Sequence, residues 1–420
     1  MNTSSTQLPD LIRKKRESLG LTQKEFAEFL ELKNSGERTI SGWERGEHKP
    51  SSSKFRSIMA LETATPFKRG TGKEKFTFID LFAGIGGLRI PFQEIGGKCV
   101  FTSEWDKFSK KTYAANFGEL PSGDITKIPA NSIPDHDLLL AGFPCQAFSQ
   151  AGLRKGFLDT RGTLFFDIQR ILIEKRPKIV LLENVKQLRG HDKGKTLSTI
   201  LSILRGDDNH SIPSKVVLSK LVRNRAEVKL NYCVKYRVLN AANFGVPQKR
   251  ERIYILAIDR DQATDLDIDR ISEKIFKNLD QVEVKNKLGS ILEPNNSVDS
   301  KYTISDRLLA GHERRKVEHK KKGNGFGYSV FNAQSPHCNT ISARYYKDGS
   351  EILINQEDIN KNPRKLTPRE CARIQGFPEK FLVNAVSDCQ MYKQFGNSVS
   401  VPVIRAIASE LKKSKLLSSS

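Results

Sequence analysis

Leu138-Leu139-Leu140-Ala141-Gly142-Phe143-Pro144-Cys145-Gln146 is the stretch that decides how this chain is read. Its apolar run has the make-up of a buried strand, and the Gly-Phe-Pro turn ends it. A strand that stops this way puts the Cys145 thiol at the carboxyl edge of a sheet, the edge where ligands bind in open α/β folds. The thiol is small and intrinsically very nucleophilic. An isolated cysteine is more often a small buried hydrophobe, so its weight depends on what surrounds it.

Working outward, short apolar strands alternate with helical segments from Phe76 onward: Phe76–Phe82, Cys99–Ser103, Leu138–Ala141, Ile179–Glu183 and Ile253–Ile258. That alternation predicts an α/β fold with a doubly wound, mostly parallel, Rossmann-like sheet. Residues 206–229 are polar and basic and read as a surface insertion. Residues 260–362 lose the alternation and become rich in Lys, Asn and Gly, and it returns from Leu366. Residues 63–75 carry proline, glycine and charge without periodicity, so they read as a linker. The expected organisation is a helical domain over 1–62, the linker over 63–75 and a first α/β part over 76–259. An inserted domain over 260–362 and a return to the α/β domain over 363–420 complete it.

Composition narrows the class. At 420 residues the chain is long for one domain, and 37% hydrophobic content supports packed cores. No run approaches the roughly 18 apolar residues of a bilayer span. Met1–Asp10 lacks the apolar core of a signal peptide, so a cytoplasmic, nucleoid-associated protein is expected. The six cysteines are widely scattered and form no Cys-x-x-Cys pair. That spacing argues against a zinc site and against a disulfide framework. A net charge of +22 makes a polyanion such as nucleic acid the natural partner.

In the first 62 residues, Thr22 can cap a helix from Gln23 to Leu30. A further helix starts near Arg38 and carries Thr39-Ile40-Ser41-Gly42-Trp43-Glu44-Arg45-Gly46. The order LTQKEFAEFL … TISGWERGEHKPS resembles the Cro/repressor-type helix-turn-helix family, whose last of these helices enters the major groove. On that resemblance Ile40 and Trp43 are core, and Arg38, Thr39 and Ser41 face the bases. The bland alternative is a helical packing domain without DNA contact.

The chemistry-bearing motifs come in order along the α/β part. Asp80-Leu81-Phe82-Ala83-Gly84-Ile85-Gly86-Gly87 follows the first strand, and its glycines permit a tight turn and close backbone approach to a ligand. Glu104-Trp105-Asp106 follows the second strand; an acid there suits a ribose hydroxyl pair, and Trp105 offers a flat face for a purine. Asp124-Ile125 is a third strand-edge candidate. Any one of these is ambiguous between packing and binding, whereas three in order favour a nucleoside-containing cofactor. Glu183-Asn184-Val185 ends the strand KIVLLENV, and a carboxylate closing so apolar a strand is costly unless paired or protonated. It reads either as a salt-bridge partner or as a raised-pKa acid. Gln248-Lys249-Arg250-Glu251-Arg252 sits at the entry to the next strand.

Together these motifs resemble the DNA cytosine-C5 methyltransferase family, over nearly all of 76–259 and 364–405 and in family order. The resemblance implies S-adenosyl-L-methionine as cofactor, duplex DNA as substrate, a flipped-out cytosine and a covalent intermediate. It places Phe82, Ala83, Ile85 and Gly87 against the cofactor, Glu104 at its ribose, Trp105 at its adenine face and Asp124 with Ile125 at its adenine edge. Pro144, Leu164 and the Asn397-Ser398-Val399 segment complete that pocket. Cys145 becomes the nucleophile at cytosine C6, Glu183 the partner of N3, and Arg252 with Arg250 the holders of the O2 side. Arg364 to Pro378 resembles the family's segment supporting the target-recognition domain; its Cys371 lies on an apolar helix face and reads as structural.

In that family the residues between the two catalytic halves read the DNA sequence. Lys320–Phe331 (KKKGNGFGYSVF) and Thr340–Ile354 (TISARYYKDGSEILI) resemble the subgroup acting on CCNGG or CCWGG sites, which implies the inner cytosine as target. Arg344 and Lys347 are the candidate base contacts; Tyr345 and Tyr346 read equally well as core. The implied enzyme belongs to a restriction–modification system, and its helix-turn-helix suggests regulation of that system's genes through a separate operator, with dimerisation there. A regulator with an inert methyltransferase domain and a tRNA cytosine methyltransferase are the competing readings.

Overall fold

The computed structural model describes residues 7–19, 21–30, 32, 35–60, 65–67, 74–144, 164–207, 229–264, 266–323 and 327–417. Cys145 and most of the basic insertion at 206–229 lie outside the described residues.

The N-terminal part holds α1 (Gln7–Ser18), α2 (Gln23–Phe29), α3 (Gly36–Arg45) and α4 (Ser52–Ala60). Thr22 and Glu25 form a reciprocal capping box that starts α2. Ile12, Phe26, Ile40, Trp43 and Ile58 make the small core, as expected for Ile40 and Trp43. Glu44 is buried there but satisfied, accepting from Arg16 at 3.0 Å and Gln23 at 2.9 Å. The third helix begins at Gly36, two residues before the start expected near Arg38. Its two opening residues, Gly36 and Glu37, carry no apolar signal.

The α/β part follows as β1 (Phe76–Leu81), α5 (Arg89–Glu94), β2 (Gly97–Ser103), α6 (Lys107–Phe117), β3 (Leu138–Gly142), α7 (Leu164–Lys175), β4 (Ile179–Val185) and α8 (Lys195–Arg205). Then come β5 (Tyr232–Asn240), β6 (Glu251–Asp259) and α9 (Ile268–Asp280). Six strands form one sheet in the order β2-β1-β3-β4-β6-β5. Pairs from β2 to β4 are parallel, whereas β6 runs antiparallel to both its neighbours. β4 is buried at every position, which is why its sequence is a continuous apolar run and not an alternating one.

Successive residues of these strands serve two cores. Ile79, Leu81, Leu139, Ala141, Val180 and Leu182 face α7 and α8. Phe78, Leu138, Leu140, Ile179 and Leu181 face the opposite layer, the period-two alternation of a pleated strand. That second layer includes Ile268, Ile275 and Phe276 of α9. The chain therefore leaves the sheet core beyond α9, later than the boundary expected at 259.

The inserted region contains α10 (Asp306–Lys321) and a sheet of β7 (Val330–Phe331), β8 (Leu353–Gln356) and β9 (Lys361–Arg364). α11 (Pro368–Ile374), α12 (Asp388–Asn397) and α13 (Val401–Lys413) close the chain. Val403, Ile404, Ile407 and Leu411 of α13 pack in the second sheet layer, which returns the C-terminal segment to the α/β domain. Residues 65–67 are anchored: Phe67 stacks on Phe117 with ring centroids 5.2 Å apart. Among the described residues no helix is long and apolar enough to cross a membrane.

Candidate active site at the carboxyl edge of the sheet

β1 has β2 on one side and β3 on the other, so the strand order reverses at β1/β3 and opens a crevice at their carboxyl ends. Leu81 pairs with Ala141, and Gly142 pairs with Glu183. The register thus brings three sequence motifs to one edge: the turn after Leu81, the Gly142-Phe143-Pro144 turn and the Glu183-Asn184 end of β4.

The turn after β1 is built for close approach. Phe82, Gly84 and Gly86 have φ of 55°, 54° and 85°. A left-handed non-glycine residue such as Phe82 costs about 1–3 kcal/mol and is typical of ligand clamps. A Cβ on Gly87 would lie 2.8 Å from Val399 Cγ2 and 3.0 Å from Ser398 Oγ, so this glycine lets the C-terminal segment seat against the loop. Ala83 and Ile85 are buried.

Glu104 is nearly buried and accepts the Gly84 N–H at 2.8 Å and the Asp106 N–H at 2.7 Å. Burial pushes its carboxyl above the usual range, against the pull of those two N–H groups. Trp105 next to it is 77% exposed, an indole without a protein partner for most of its surface. Asp124 caps a short turn and accepts from Thr126 N–H at 3.1 Å and Oγ1 at 2.8 Å. The Ile125 side chain packs in the sheet core. Pro144 and Leu164 are half-buried, Asn397 is exposed and Val399 is buried.

Asp80, on β1, went unassigned in the sequence. Both its carboxylate oxygens are buried without a hydrogen-bond partner among the described residues. Burial pushes it up to about 8; Arg89 opposes the shift, and Glu104 and Glu119 add to it. An unpartnered buried carboxylate calls for a cationic or hydrogen-bond-donating group to satisfy it. Its signal in the sequence was an acid breaking an apolar strand just before the glycine turn. Together with the flat, exposed Trp105, the Glu104 carboxylate and the Gly87 contact, Asp80 gives this crevice the donor and acceptor set that fits a cationic nucleoside cofactor.

At the neighbouring edge Glu183 Oε1 lies 3.3 Å from Arg252 Nε, and both side chains are largely buried. Burial raises the Glu183 pKa, with Arg252 and then Arg250 pulling it back. Among the described residues only the Glu183 carboxylate and Leu88 come within 4 Å of a Cβ added at Gly142, both at 3.6 Å. The absence of a side chain there leaves the approach to the acid uncrowded by them. Asn184, also unassigned in the sequence, donates to the Phe143 carbonyl at 3.2 Å and accepts the Val185 N–H at 2.8 Å. It pins the turn that leads to Cys145, itself outside the described residues.

Arg250 is held by backbone carbonyls. Its guanidinium donates to the carbonyls of Ile341 and Gly396, both at 3.1 Å, and to that of Ser398. Arg252, two residues on and within β6, instead pairs with Glu183 at the end of β4. Cys371 is fully buried, and burial raises its thiol well above the ordinary value. Tyr345 is core, its hydroxyl donating to the Ile352 carbonyl at 2.7 Å. Arg344 and Lys347 beside it are exposed, and so is Arg38 on α3, where Thr39 and Ser41 are half-buried.

Comparison with known proteins agrees with this geometry. Residues 76–221 and 215–413 match the family of C-5 cytosine-specific DNA methylases, and residues 12–61 match a helix-turn-helix family. Type II methyltransferase M.SsoII of Shigella sonnei is 51% identical over 95% of this chain and 96% of its own length. Type II methyltransferase M1.ScrFI of Lactococcus lactis subsp. cremoris is 52% identical over 97% and 96%. Type II methyltransferase M.HhaI of Haemophilus parahaemolyticus is 39% identical over 79% and 92%. Among solved structures, the Dnmt2 methyltransferase of S. pombe shares the fold, with a TM-score of 0.59 and 20% identity over 81% of this chain and 99% of its own. The chain therefore belongs to the C-5 cytosine-specific DNA methylase family, as a type II cytosine-C5 DNA methyltransferase that carries a helix-turn-helix at its N-terminal end.

Proposed function

We propose that the protein methylates the inner cytosine of a CCNGG- or CCWGG-type site in duplex DNA, using S-adenosyl-L-methionine. The observation that carries the site assignment is the buried Glu183–Arg252 pair, 3.3 Å apart, beside the open Gly142 turn that leads to Cys145. When bound, the cofactor supplies an electrophilic methyl group on a sulfonium. Phe82, Ala83, Ile85, Gly87, Pro144, Leu164, Asn397, Ser398 and Val399 would line its pocket. Glu104 would hold its ribose, Trp105 and the Asp124-Ile125 turn its adenine, and Asp80 its positively charged end.

The target base must leave the duplex to reach this edge. The Cys145 thiolate attacks C6, which makes C5 an enamine carbon able to take the methyl group. Glu183, whose pKa burial raises, donates to N3 in its protonated form and stabilises the charge that develops there. Arg252 holds Glu183 and the O2 side of the ring. Arg250 acts one step back, by fixing the backbone at 341 and 396–398. Loss of the C5 proton and expulsion of the thiolate restore the aromatic ring and free Cys145.

The helix-turn-helix is proposed to bind a separate operator as a dimer and to regulate the genes of the same restriction–modification system, with Arg38, Thr39 and Ser41 facing the bases. Arg344 and Lys347 are proposed to read the methylation site.

The test is methyl transfer from labelled S-adenosylmethionine to duplex DNA, with methylated positions mapped by bisulfite sequencing. Modification at the inner cytosine of CCNGG or CCWGG sites, lost in Cys145→Ser, is the expected result. Methylation elsewhere would overturn the site assignment. A footprint confined to methylation sites, and unchanged on deleting residues 1–62, would remove the regulatory role.

A further inference from the structure

α10 is a 16-residue helix of which only His312 is buried. Its inner side is held by a small set of polar contacts. His312 stacks on Tyr328 with ring centroids 5.4 Å apart, and its Nε2 lies 3.3 Å from the Asp348 carbonyl. Arg315 donates to the Asp348 carboxylate at 3.1 Å. Lys316 lies over the Tyr328 ring at 5.0 Å. Asp348 directly follows Lys347, so these contacts clip the helix to the loop carrying the exposed Arg344 and Lys347.

The outer side is different. Arg307, Arg314 and Lys321 recur every seven residues, and all three are exposed. Seven residues are about two helical turns, so the three stack in one stripe, on the side away from His312. Glu318 shares that side, which sets three cations against one carboxylate. Basic residues in a last turn stabilise a helix through its dipole. That explains Lys321 but not Arg307 in the first turn or Arg314 in the middle. At about 1.5 Å per residue the stripe is about 21 Å long, the rise of about six nucleotides at 3.4 Å each.

We propose that this stripe of α10 lies along the phosphodiester backbone of duplex DNA beside the methylation site, while its inner side holds the Arg344–Asp348 loop. The proposal rests on duplex DNA being the substrate. Phosphate contacts carry no sequence information but set the salt dependence of binding.

The experiment measures equilibrium binding of the full chain to two labelled duplexes of equal length, one with a CCNGG site and one without, across a range of NaCl. In Arg307→Gln/Arg314→Gln/Lys321→Gln the slope of log K against log salt is expected to flatten by about 2 to 3 on both duplexes. The turnover rate at saturating DNA is expected to match the wild type. Glu318→Gln, which removes the opposing charge, is expected to tighten binding to both duplexes; this second variant keeps the test decisive if the triple variant unfolds. An unchanged slope in a folded, active triple variant overturns the proposal, as does a loss confined to the CCNGG duplex. Failure of the wild type to methylate DNA at all would instead overturn the underlying substrate.

Discussion

Arg252 Nε sits 3.3 Å from Glu183 Oε1, while Arg250, two residues earlier on the chain, donates to the backbone carbonyls of Ile341 and Gly396. Two arginines two residues apart thus have different partners and different duties. Arg252→Lys should lower kcat/KM by about 100-fold, the scale of losing one donor to developing charge, with little change in Tm. Arg250→Lys leaves buried carbonyls short of donors, at about 1–3 kcal/mol each. It should lower Tm by several degrees and raise KM for the cofactor through the Ser398 contact. Thermal unfolding beside steady-state kinetics separates the two.

Glu183 tests the proton in the mechanism. Burial raises its pKa, so it stays protonated to higher pH than an ordinary carboxylate. An activity that needs the protonated form falls as pH rises through that raised pKa. Glu183→Gln keeps an N–H donor but cannot titrate. Its residual rate should lack this alkaline decline, whereas a decline identical to the wild type's would show that another group titrates. Arg252 lowers the Glu183 pKa, so Arg252→Met should move the decline to higher pH.

Asp80 makes stability depend on pH. Its folded pKa of about 8 lies above the ordinary carboxylate value. The sign follows: its contribution is fully present below the unfolded pKa and is lost as pH rises through the folded one. Without cofactor, Tm of the wild type should therefore fall relative to Asp80→Asn between about pH 4 and pH 8. The difference should then level off. Asp80→Asn should also weaken binding of S-adenosylmethionine, by calorimetry.

Gly87 reports on the seam between the glycine turn and the C-terminal segment. An added Cβ would lie 2.8 Å from Val399 Cγ2, closer than real contacts allow. Overpacking of this kind costs about 1–3 kcal/mol, so Gly87→Ala should raise the cofactor Kd by about tenfold or more. DNA binding without cofactor should be unaffected.

The residues that were legible in the sequence share a feature: each is a polar or glycine residue that ends an apolar run. Gly142, Glu183 and the Asp80–Gly87 turn stand out against Leu138–Leu140, Ile179–Leu182 and Phe76–Ile79 for that reason. β5 was missed because it is an edge strand. Lys235 and Arg237 interrupt its apolar pattern, and half of its residues are only partly buried. α9 was assigned to the inserted region because it follows the last strand, yet Ile275 and Phe276 pack on the sheet. The division between Arg250 and Arg252 was hidden because spacing in QKRER shows two arginines on one face of a strand but not what each touches. Those contacts come from segments about 90 and 150 residues away, through loop closures that no local pattern encodes.

The most direct test of the account is covalent trapping. A duplex with 5-fluorocytosine at the inner cytosine of a CCNGG site is incubated with S-adenosylmethionine and the full chain, and the denatured, digested complex is read by mass spectrometry. Fluorine at C5 blocks the final proton loss, so the thiolate adduct should persist on the peptide containing Cys145. The same complex should be absent from Cys145→Ser. An adduct on another cysteine, or one that survives in Cys145→Ser, would contradict the assignment of Cys145 as the nucleophile beside Glu183 and Arg252.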